Sequence, residues 1–111
     1  MQTTHRSDTL TVKIIANDRG NPPGKLADAE LHFGDESSLA GLKLIGFAIW
    51  ERRTGAVRNV TFPARQYAVN GERRSFALLR PIVDTSTQNA VRERILDAYV
   101  EYEEAAATVD A

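Results

Sequence analysis

Leu39 to Trp50 is the most apolar stretch of this chain, and it is apolar on both sides. In an extended conformation Leu42, Leu44, Ala48 and Trp50 lie on one face, and Ile45, Phe47 and Ile49 lie on the other. A helix here would be interrupted by Gly41 and Gly46, and the isoleucine and phenylalanine content favours a strand. The segment is therefore expected to be a central strand that needs cover on both faces.

The flanking sequence supplies more strands than helices. Leu10, Val12 and Ile14 alternate with Thr11 and Lys13, the pattern of a half-buried strand over Leu10 to Ala16. Asn17 to Gly24 is dense in turn formers and reads as a connecting loop. From Lys25 to Phe33, Ala27, Ala29, Leu31 and Phe33 share one face while Asp28, Glu30 and His32 share the other, which predicts a second strand with one wet side. Gly34 to Ser38 is a polar loop. Residues 51 to 55 read as a hairpin loop into a fourth strand, Val57 to Phe62, ended by Pro63. Pro63 to Asn70 reads as a loop. Asn70-Gly71 is a strong turn signal, and Arg73 to Leu79 leaves it as a fifth strand stopped by Pro81.

Only the last segment carries helical spacing. Ala90, Val91, Ile95, Ala98, Tyr99 and Tyr102 recur every three or four residues behind Thr85 and Gln88, which are spaced as a capping box. A helix of about 16–18 residues would be roughly 25 Å long, enough to cover one face of a small sheet. The expected fold is therefore α+β: a small, mostly antiparallel sheet of about five strands with one C-terminal amphipathic helix packed on it. Residues 1–9 read as a flexible tail, 10–103 as a single domain and 104–111 as an acidic, alanine-rich tail. Because one helix leaves the second face of the central strand bare, a second copy of the chain is expected to complete the core.

The chain's 111 residues suit one domain, and 42% hydrophobic with 26% charged residues suits a globular one. With no cysteine, disulfides, thiolate metal sites and thiol catalysis are excluded. No apolar run reaches the roughly 18–20 residues of a membrane span, and the opening MQTTHRSD is polar, so the expected location is cytoplasmic without membrane contact.

The net charge of −1 conceals a sorted distribution. Residues 1–51 carry −2 and residues 84–110 carry −5, whereas residues 52–80 hold seven arginines, no lysine and only Glu72, for +6. Guanidinium forks match phosphate oxygens in pairs, so an arginine cluster between acidic segments points to an anionic partner. Trp50, Phe62 and Tyr67 lie close in sequence as candidate stacking surfaces, although Trp50 continues an apolar strand face and reads first as core.

Several motifs add to the charge pattern: Phe47-Ala48-Ile49-Trp50, Gly55, Val60-Thr61-Phe62-Pro63-Ala64-Arg65, Asn70-Gly71-Glu72-Arg73, Pro81-Ile82, and Ile95 with Tyr99. In this order, over residues 10 to 102, they resemble the SpoVG (stage V sporulation protein G) family. The resemblance implies a small antiparallel sheet with a C-terminal helix, a homodimer joined through sheet strands, and a regulatory role in binding DNA or RNA without catalysis or a cofactor. The candidate nucleic-acid-binding residues are Arg52 and Arg53 in the hairpin tip, Arg65 after Pro63, Tyr67, and Arg73 and Arg74 beside the Gly71 turn. Arg58 and Arg80 are alternatively partners for the acidic helix.

Other readings are weaker. The arginines also suit a non-catalytic module that docks an acidic protein. Asp28, Glu30 and His32 share a strand face, as acid–base or metal chemistry requires, but the first reading of that face is a solvated sheet surface. Gly20-Asn21-Pro22-Pro23-Gly24-Lys25 is not a phosphate loop, because it is one residue short between the glycines, its prolines lack donors, and Leu26 replaces the metal-binding hydroxyl. The acidic C-terminal segment reads as a solvated helix face or as a nucleic-acid mimic folded back on the arginines.

Overall fold

The structure, a computed structural model, describes residues 10–51 and 58–110. The chain forms β1 (Leu10–Ala16), β2 (Lys25–Phe33), β3 (Lys43–Trp50), β4 (Asn59–Thr61), β5 (Ala64–Val69), β6 (Glu72–Ala77) and α1 (Ser86–Asp110). β1 to β4 make one sheet in sequence order, and β5 and β6 make a separate two-stranded ribbon. Every pairing is antiparallel, so the fold is α+β as expected. The described strands number six rather than about five, because Ala64–Val69, expected as loop, is a strand.

The alternation in β1 and β2 sets the register directly. Val12 stands opposite Leu31, Ile14 opposite Ala29 and Ala16 opposite Ala27, which places all six apolar side chains on one face. Thr11 with His32, Lys13 with Glu30 and Ile15 with Asp28 make up the other face. Asn17 secures the loop between the strands, since its Nδ2 donates to the Lys25 carbonyl at 2.9 Å.

β3 departs from simple alternation. Between the pairs Ala29–Phe47 and Leu31–Leu44 it has one residue more than β2, a bulge formed at Ile45-Gly46. The bulge turns Leu44 onto the same face as Phe47 and Ile49, not the face shared with Ala48 and Trp50 as expected. The strand starts later than expected, at Lys43, because Leu39 to Leu42 form a turn in which the Leu42 amide bonds to the Leu39 carbonyl. Leu42 and Ile45 remain exposed, whereas Ala48 is buried and Trp50 half-buried, so the second side of this segment is only partly covered within the chain.

Ala27, Ala29, Leu31, Phe47, Ile49, Val60, Ile95 and Tyr99 form the core, with Phe62 and Leu79 packed at its margin. Trp50, expected there, instead lies half-buried on the outer face, where its Nε1 donates to Thr61 Oγ1 at 2.9 Å across the strand pair.

α1 supplies Ile95 and Tyr99 to the core and runs 25 residues, or about 37 Å, rather than 16–18. The alanines at 105–107 favour helix and carry it into the segment expected as a tail. At its start Asp84 accepts bonds from the Ser86 amide at 2.9 Å and the Ser86 hydroxyl at 2.6 Å, so the observed cap is an Asx turn and not the Thr85–Gln88 box. These bonds hold the Asp84 carboxyl below its ordinary value. Two arginines moor the helix to the sheet. Arg94 Nη2 donates to the Leu10 carbonyl at 2.8 Å, and Arg58 grips Glu103 with two bonds of 2.8 and 2.9 Å. Among the described residues no helix is long and apolar enough to cross a membrane.

Candidate nucleic-acid interface

The β5–β6 ribbon is built around a two-residue turn. Asn70 at φ 53° and Gly71 at φ 83° both adopt the left-handed region, as the type I′ geometry of tight hairpins requires. The turn fixes Val69 opposite Glu72, Tyr67 opposite Arg74 and Arg65 opposite Phe76. Side chains alternate along a strand, so these six residues share one face, while Ala64, Gln66, Ala68, Arg73, Ser75 and Ala77 share the other.

The first face is a checkerboard. Along each strand and across the pair, every aromatic ring neighbours an arginine: Arg65 then Tyr67 on β5, Arg74 then Phe76 on β6. Directly paired side chains have Cβ atoms about 4.5–5.5 Å apart, and diagonal ones about 7–8 Å. Tyr67 is 43% exposed and Phe76 46%, and with Arg65 they line a shallow hollow of about 310 Å³. Arg80, beyond the end of β6, lies over the Phe76 ring at 5.0 Å from its centroid. It therefore joins the ribbon surface and is not the partner of the helix that its charge suggested. Glu72 is the one acid of the ribbon and takes a 3.0 Å bond from Arg74, an exposed pair of small worth.

Two anchors keep the ribbon attached. Phe62, just before β5, packs edge-on against Phe47 with ring centroids 5.1 Å apart. Leu79, just after β6, packs against the same core, and the Leu78 amide bonds to the Pro63 carbonyl at 3.0 Å.

The expected site residues thus separate. Arg65, Tyr67 and Arg74 come together. Arg73 stands on the opposite face, opposite Ala68. Arg52 and Arg53 lie outside the described residues. Phe62 is no stacking platform, because it is half-buried at the margin of the core against Phe47, whereas Phe76 is exposed. Arg58 is committed to the helix, as its charge suggested, and covers the Tyr99 ring at 4.9 Å. Burial pushes the Tyr99 hydroxyl up from its ordinary value, and Glu103 adds to the rise against a smaller pull from Arg58. Phe76 and Arg80 were missed, although counting outward from Asn70-Gly71 with period two places Phe76 beside Arg65.

On the sheet's outer face Asp28, Glu30 and His32 do share one side, but each carboxylate meets a cation. Asp28 pairs with Lys25 at 2.6 Å, and Glu30 accepts from His32 Nε2 at 2.9 Å and Lys43 Nζ at 3.2 Å. The His32 bond chiefly holds the Glu30 carboxyl below its ordinary value, against partial burial and with help from Lys43. Among the described residues no group of three or more His, Asp or Glu side chains is arranged to hold a metal.

No family model, curated protein or solved structure matches the chain.

Proposed function

We propose that this chain is a nucleic-acid-binding protein that contacts phosphates through the arginine face of the β5–β6 ribbon. The observation that carries the reading is the register that gathers Arg65 and Arg74 on one exposed face beside Arg80, with Glu72 the only acid of the ribbon. Arginines on a projecting two-stranded ribbon suit a polyanion, because guanidinium groups bind phosphate oxygens in pairs and the ribbon is narrow enough to follow a backbone or enter a groove. The resemblance to the SpoVG family supports a homodimeric, regulatory and non-catalytic protein, and the antiparallel sheet with a C-terminal helix agrees with the fold it implies.

The test is fluorescence anisotropy of labelled DNA and RNA at several salt concentrations. Three phosphate-bound arginines give a slope of log K against log salt of about −2 to −3, and each arginine removed reduces it by about 0.7–0.9. Wild type is expected to bind with such a slope and the Arg65→Ala/Arg74→Ala variant to lose most of it. Absence of binding at low salt, or a slope unchanged in the variant, refutes the proposal. In the first case an acidic protein becomes the better candidate for the arginine face.

A further inference from the structure

Phosphate contacts account for the arginines of the ribbon but not for the aromatic rings between them. Both rings sit on a two-stranded ribbon whose residues are exposed on both faces, so neither serves the core. An exposed aromatic residue finds its best partner in another flat apolar surface, and the hollow lined by Arg65, Tyr67 and Phe76 offers two such rings beside a planar guanidinium. Its 310 Å³ is at the small end of ligand pockets. Trp50 and Phe62, the other rings near the arginines, are both engaged within the chain.

We propose that this hollow takes an unpaired base, stacked on Tyr67 or Phe76, while Arg65, Arg74 and Arg80 hold the flanking phosphates. The ligand class is therefore single-stranded nucleic acid, deepening the reading above, on which it rests. A duplex buries its base faces within its own stack and offers the hollow only phosphates, sugars and base edges, none of which stacks on a ring. The alternation of ring and guanidinium along β5 and β6 suits a strand that presents base and phosphate in turn. Because every base has a π-face, the hollow accepts all four bases with modest preference.

The test uses the full chain and a labelled strand of about 12 nucleotides, within the span of known single-strand sites. Four probes are compared at low salt: the strand as DNA, the same strand as RNA, the duplex with its complement, and an abasic strand with the same number of phosphates. The tighter of the DNA and RNA strands is expected to bind about five-fold or more tighter than both the duplex and the abasic strand. In Tyr67→Leu/Phe76→Leu, which keeps apolar bulk on the ribbon and removes the rings, that advantage disappears while the salt-dependent binding of the duplex remains. Equal affinity for the strand and its abasic counterpart, or for strand and duplex, overturns base stacking and leaves the arginine surface standing. Failure of all four probes to bind overturns both readings. The abasic comparison needs no variant, so its outcome does not depend on how the substituted ribbon folds.

Discussion

Gly46 is where the sheet and the ribbon meet, and Gly46→Ala tests that junction. The glycine sits at φ 109°, and a Cβ built on it would lie 2.8 Å from Pro63 Cβ and 3.3 Å from Pro63 Cα. Pro63 is buried and immediately precedes β5, so the close approach sets where the ribbon leaves the sheet. A left-handed backbone costs an L-residue about 1–2 kcal/mol. Forcing a methyl into the buried proline adds an overpacking cost of about 1–3 kcal/mol. The stiffer unfolded chain returns about 0.4–1 kcal/mol, which leaves a net loss of about 1–5 kcal/mol. That is a large share of a typical stability of about 5–15 kcal/mol. Urea denaturation followed by circular dichroism measures it. A double-mutant cycle with Pro63→Gly separates the two causes, because removing the proline ring relieves the clash and leaves the backbone strain. The double variant is expected to be about 1–3 kcal/mol more stable than the two single losses predict. A Gly46→Ala loss below about 0.5 kcal/mol, or strict additivity in the cycle, refutes the account of the bulge.

Three further expectations concern the sheet and its helix. Ile95 is fully buried, so Ile95→Ala should cost about 2–5 kcal/mol in urea denaturation, and a loss under 1 kcal/mol would mean that the helix does not pack as described. Glu103→Gln removes a negative charge that raises Tyr99, so the tyrosine titration followed by absorbance should move down; the lost pair with Arg58 is partly exposed and should cost about 1 kcal/mol or less. Glu30 is held below its ordinary value, so its contribution to stability is present above the unfolded carboxyl value of about 4.3 and is lost as pH falls through the folded value. Denaturation midpoints across the acid range should therefore fall less steeply in Glu30→Gln than in wild type, and parallel profiles would contradict the Glu30–His32–Lys43 arrangement.

The faces of β1 and β2 were legible because a wet side and a buried side alternate without interruption from Leu10 to Ala16 and from Ala27 to His32. The same reasoning went wrong in β3, where the bulge at Ile45-Gly46 shifted Leu44 to the opposite face and the core formed on the side of Phe47 and Ile49, which leaves Trp50 outside it; a glycine inside a strand pattern was the available signal for the bulge. β5 was unreadable by alternation, since both its faces are exposed and neither is apolar throughout. Its existence was nevertheless implied by Asn70-Gly71, which demands a strand on each side. The arginine cluster was visible as composition, but composition does not sort Arg73 from Arg65 and Arg74, or Arg58 from Arg80. The register across the turn does the first, and the bidentate grip of Arg58 on Glu103 does the second. The helix ran past its expected end because the alanines after Glu104 sustain it without any core to cover.

The central claim is that nucleic acid binds on one face of the β5–β6 ribbon, and an amide and aromatic NMR titration with a short oligonucleotide tests it most directly. Shifts concentrated at Arg65, Tyr67, Arg74 and Phe76, with the outer face of the sheet around Glu30 and His32 unmoved, are the predicted result. Shifts confined to the sheet's outer face or to α1, or none at saturating oligonucleotide, would contradict the claim.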